Sequence, residues 1–77
     1  MERAGPEPRF AMDRCSTPER ERAEAVVTAV LAGRSPSETW MVSLQRFHGG
    51  WDAFIEGPDP AVAGRIAEEL RKAGFTR

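Results

Sequence analysis

Trp40-Met41-Val42-Ser43-Leu44-Gln45-Arg46-Phe47, then His48-Gly49-Gly50, then Trp51-Asp52-Ala53-Phe54-Ile55-Glu56 is the stretch of this 77-residue chain that decides its fold. Two runs rich in β-branched and aromatic residues, interrupted by a glycine break, read as two strands joined by a tight hairpin. With Gly49-Gly50 as a two-residue turn, His48 opposes Trp51 and Leu44 opposes Ile55, and Val42 and Trp40 lie on that same face. A three-residue turn would set Val42 against Glu56, a poorer pair for a buried face, so the Gly-Gly turn is expected.

Helical patterns flank the hairpin. Upstream, Thr17-Pro18-Glu19 reads as a helix start, with Thr17 capping free amides, Pro18 at the first helical position and Glu19 at the positive end of the dipole. Ala23, Val26, Val27, Val30 and Leu31 recur at spacings of three and four to make one apolar stripe, and Gly33 ends the helix. Arg34 to Ser37 is a loop. Downstream, Gly57-Pro58 stops the second strand and Asp59-Pro60 repeats the cap-plus-proline signal. Val62, Ile66, Leu70 and Ala73 form the inner stripe of this second helix, Glu68 and Lys72 an i,i+4 pair outside. Gly74 supplies its C-terminal turn, and Phe75 folds back on Leu70 as in a Schellman motif.

The expected fold is therefore a small α+β domain, residues 16–77, with a two-layer α-β-β-α core. Residues 1–15, with Gly5, Pro6, Pro8 and few apolar side chains, read as a flexible arm. Within the arm, Arg9 to Asp13 alternates polar and apolar residues and suits a short edge strand. If that segment and Phe75 to Arg77 add outer strands, the order becomes β-α-β-β-α-β, the ferredoxin-like arrangement.

Composition excludes more than it assigns. A single cysteine, Cys15, cannot form an internal disulfide, and with His48 the only histidine a Cys/His zinc site cannot be completed within one chain. Small domains bury only about 60% of the surface their unfolded chain exposes, which leaves self-association as a source of extra burial. The net charge of −1 gives no global attraction for nucleic acid or an anionic membrane. The opening residues lack the apolar core of a secretory signal, and no run approaches the roughly 20 apolar residues of a membrane span. A cytoplasmic prokaryotic protein is expected. Neither a G-x-G-x-x-G nor a Walker-type glycine loop is present. Cys15 lies ahead of a helix start but has no neighbouring base, and His48 at a loop tip has only Asp52 nearby, so neither composes a catalytic set.

One apolar stripe per helix places both helices on the same side of the sheet and leaves the other side open. That side carries Met41, Phe47 and Phe54; large apolar side chains bared on a small sheet mark a binding or dimer surface, and the alternative is that the N-terminal arm folds across them. With Arg46, Asp52 and Glu56 beside them, they are the expected contact residues. The resulting expectation is a non-enzymatic module, without cofactor, that occupies a surface of a larger protein partner, and that can also dimerise. One specific version is an inhibitor encoded by a phage or mobile element against host nucleic-acid machinery such as a CRISPR effector. The alternative is a nucleic-acid-binding regulator in which Phe47 and Phe54 stack on bases and arginines reach phosphates.

Overall fold

The computed structural model describes residues 5–75, arranged as β1 (Arg9–Asp13), α1 (Thr17–Leu31), β2 (Met41–Phe47), β3 (Gly50–Glu56) and α2 (Pro60–Lys72). The three strands form one mixed sheet in the order β1-β2-β3, with β1 parallel and β3 antiparallel to the central β2. The alternating segment Arg9–Asp13 is thus an edge strand, and it joins β2 in parallel because α1 supplies the crossover that a parallel pair needs. Its first bond runs from the Arg9 amide to the Trp40 carbonyl at 2.8 Å. Of the arm expected over residues 1–15, residues 1–4 lie outside the described residues. The ferredoxin-like order is not seen among the described residues: β1 lies directly beside β2, Phe75 belongs to no strand, and residues 76 and 77 lie outside the described residues.

Both helices cover one face of the sheet. Ala23, Val27 and Leu31 of α1 and Ile66 and Leu70 of α2 pack with Trp40, Val42, Leu44 and Trp51 into a single buried cluster. These are the stripes that the three- and four-residue spacings predict, and their burial is the main favourable term in holding the layers together.

The hairpin register differs from expectation by two residues. Phe47 pairs with Gly50, Val42 with Ile55, Leu44 with Ala53 and Arg46 with Trp51, so the turn is His48-Gly49, not Gly49-Gly50. A Gly-Gly turn of the mirror-image kind needs positive φ at its central residues. Only Gly50 has it here, at 141°, and it sits as the first residue of β3. The observed register also seats the Arg46 guanidinium 4.9 Å from the centre of the Trp51 ring. Because side chains alternate with a period of two, a two-residue slip leaves each one on its expected face.

The caps differ in detail too. Ser16, not Thr17, caps α1: its hydroxyl accepts from the Glu19 amide, and the Glu19 carboxylate accepts from the Ser16 amide at 2.9 Å, a reciprocal capping box. Pro18 accordingly falls one position later than expected. Asp59 caps α2 through the amides of Ala61 and Val62. At its other end the Phe75 amide reaches the Leu70 carbonyl at 2.9 Å and the Gly74 amide reaches Arg71 at 3.1 Å, the Schellman pattern. Phe75 is buried, its ring edge-on to Trp51 with centroids 5.0 Å apart. The expected Glu68–Lys72 pair is replaced by i,i+3 pairs, Glu68–Arg71 at 2.8 Å and Glu69–Lys72 at 3.7 Å.

The loop between α1 and β2 is pinned by charge. Arg34 makes a two-point pair with Glu38 at 2.9 Å for each bond and reaches Asp59 at 3.4 Å, while Glu38 also accepts the Trp40 indole N–H at 3.0 Å. Arg34 first, then the indole, holds the Glu38 carboxyl below its ordinary value of 4.5. The Ser16 amide likewise lowers Glu19. A carboxyl depressed on folding contributes stability that is present above its unfolded value and is lost as pH falls through its folded one. Thermal melts should therefore drop as pH falls below 4.5, and Glu38→Gln should flatten that acid slope while lowering the melting temperature at neutral pH.

Gly57 continues the β2–β3 register opposite Trp40, where a Cβ would lie 2.0 Å from the indole ring. Trp40 is 1% exposed, so the ring has no room to retreat. Gly57→Ala should cost about 1–3 kcal/mol in urea unfolding, the usual cost of overpacking a core. Gly49→Ala, where a Cβ meets nothing within 4 Å, should stay within about 0.5 kcal/mol of wild type.

Candidate functional site

The face of the sheet turned away from the helices is built by the odd-numbered residues of β1 and β2 and the even-numbered ones of β3. Registers align them in rows: Arg9, Met41 and Glu56; Ala11, Ser43 and Phe54; Asp13, Gln45 and Asp52; and Phe47 beside Gly50. Phe54 is 62% and Phe47 42% exposed, and these are the large apolar side chains left exposed among the described residues. Met41 is half-buried between Arg9 and Glu56. Next to the Phe54 ridge lies a depression of about 460 Å³ lined by Ala11, Met12, Asp13, Ser43, Leu44 and Gln45, where the small side chains of Ala11 and Ser43 leave the sheet surface low.

Five of the six expected contact residues, Met41, Phe47, Asp52, Phe54 and Glu56, share this face. Arg46 does not. The same alternation that exposes Phe47 turns Arg46 to the helix side, where it pairs with Glu19 of α1 at 3.0 Å and lies over Trp51. Its role is to tie the tip of the hairpin to the first turn of α1. Arg9 takes its place as the cation of the open face, a residue that the hairpin alone could not have pointed to. The depression at Ala11 and Ser43 was equally hidden, because it exists only once β1 is placed beside β2.

Cys15 is half-buried with its Sγ 3.8 Å from the Asp13 carbonyl, and burial first, then the Glu19 charge, pushes its thiol above the ordinary value of 9.0. His48 sits exposed in the turn. Among the described residues there is no group of three His, Cys, Asp or Glu side chains placed to hold a metal ion, and no helix is long and apolar enough to cross a membrane. A second, smaller hollow of about 240 Å³ runs between the helices, lined by Val26, Ala29, Val30, Arg65 and Glu69.

No protein-family model, curated protein or solved structure matches the chain significantly.

Because the thiolate is the nucleophilic form, a raised thiol pKa slows alkylation. Cys15 should react with iodoacetamide at pH 8 more slowly than free cysteine does, and unfolding in urea should bring the two rates together.

Proposed function

We propose that this protein is a non-enzymatic binding module that lays the open face of its sheet against a larger protein partner. The supporting observation is the sorting of its large apolar side chains. The tryptophans, the core leucines and Phe75 are buried, while Phe47 and Phe54 stand exposed on one face with Met41 beside them. Removing an exposed Phe from water is worth about 1.5–3 kcal/mol, so two of them make an effective centre for a contact.

The charges around that centre favour a protein with a basic surface. Among the described residues of the face, Arg9 is set against Asp13, Asp52 and Glu56. That balance complements the basic grooves with which proteins hold nucleic acids, and it repels phosphate. An inhibitor carried by a phage or mobile element and directed at host nucleic-acid machinery, a CRISPR effector for instance, fits this chemistry. Direct nucleic-acid binding, for which the two exposed phenylalanines would serve as stacking platforms, fits it less well.

Affinity capture from prokaryotic lysate should recover a stoichiometric partner with the wild-type chain and lose it with Phe47→Ser/Phe54→Ser, a thermal melt showing that the variant is still folded at the capture temperature. A variant that retains the partner would refute the assignment of the face. Titration with single-stranded DNA and RNA at low salt should show no binding, and salt-sensitive affinity there would favour the nucleic-acid reading.

A further inference from the structure

We infer that the open face also fits a second copy of this chain, so that the free protein masks its docking surface by dimerising. This rests on the reading of that face as a contact surface and names one of its occupants.

The face is self-complementary in shape, and one of its rows is self-complementary in charge. Its third strand carries the ridge, Phe54, at 62% exposure, and its first two strands carry the depression at Ala11 and Ser43, in the same row of the sheet. A two-fold axis lying between two such faces and running along β2 sets β1 of each copy over β3 of the other, row upon row. Phe54 of each copy then enters the depression of the other, and Ser43 meets its own counterpart on the axis. Sheets stack at about 10 Å, a spacing that a phenylalanine above an alanine can fill.

The adjacent row supplies the charge match. Arg9 and Glu56 stand at opposite ends of the row that Met41 centres, so the same axis sets Arg9 of each copy over Glu56 of the other. Met41 meets Met41 between these two ion pairs. A two-fold axis across the strands would instead stack Phe54 on Phe54 and leave both depressions empty; it would set Arg9 against Asp13 and Glu56 against Asp52, a charge balance no better than that of the axis along β2, so shape decides between them. The axis along β2 has one unfavourable row, in which Asp13 faces Asp52, and this keeps the dimer weak enough for a larger partner to displace the second copy.

Sedimentation over a concentration series tests the inference. The wild-type chain should pass from monomer to dimer, and Phe54→Ser should raise the dissociation constant by about tenfold or more, as expected for an aromatic at the centre of a contact. Arg9→Glu and Glu56→Arg should each weaken the dimer by about two- to fivefold. An equimolar mixture of these two single variants should associate better than either alone, because every Arg9–Glu56 contact in the mixed dimer again joins opposite charges. Asp13→Asn should tighten association.

A chain that stays monomeric up to about 1 mM overturns the inference, as does a dimer indifferent to Phe54→Ser or a mixture no better than its components. Those outcomes leave the larger-partner reading standing if Phe47→Ser/Phe54→Ser still abolishes capture. Conversely, a dimer that responds as described, alongside capture that ignores the same substitutions, retires the larger-partner reading and keeps this one.

Discussion

The molecule depends on burying one side of β2. Val42 and Leu44, continued by Trp40, lie beneath both helices, and every element is placed by its relation to that row: β1 and β3 pair to its two edges, and α1 and α2 close over it. Among the described residues there are two helices, both committed to this side, and no further element lies over the other. The exposure of Phe47 and Phe54 follows from the arithmetic of the layers and is not a local accident.

Periodicity made the elements legible. The stripes of α1 and α2, the Asp59-Pro60 start and the glycine that ends α2 read directly, since each is written in residues close together along the chain, whereas the start of α1 is displaced by one residue to Ser16. The face assignment of Met41, Phe47 and Phe54 was equally secure, because it needs only the strand's period of two and survives a register slip of two. Apart from the cap at Ser16 and the i,i+3 pairs of α2, the differences arise from contacts between distant segments. The turn moved to His48-Gly49 in a register that sets Arg46 against Trp51 and Trp40 against Gly57, neither of which a turn rule weighs. Arg46 neighbours the contact residues in sequence, but its alternation, together with Glu19 of α1, carries it to the other side. The edge strand of Arg9 to Asp13 is legible in its alternation, but the face that Arg9 takes and the hollow beside Ser43 follow only from the parallel pairing of β1 with β2.

Charged side chains serve the helix layer mainly as fasteners. Glu19 completes the cap of α1 and holds Arg46, Arg34 and Glu38 bind the loop that enters β2, and Arg22 donates to the Ala73 carbonyl at 3.0 Å with its guanidinium 5.5 Å from the centre of the Phe75 ring. Exposed pairs of this kind are individually weak. Their collective value lies in placement: Arg46–Glu19, Arg34–Asp59 and Arg22–Ala73 tie together segments far apart in the chain where a small core offers few other restraints, while Arg34–Glu38 stiffens one loop locally.

Both tryptophans lie on the buried side, Trp40 bonded to Glu38 and Trp51 between Arg46 and Phe75. Their indoles accordingly report on whether the helices are seated and are screened by the sheet itself from whatever meets Phe54. The protein's intrinsic emission is a gauge of folding that is blind to occupancy, so a fluorescent record of an encounter on the far side has to come from a dye attached there or from the visitor.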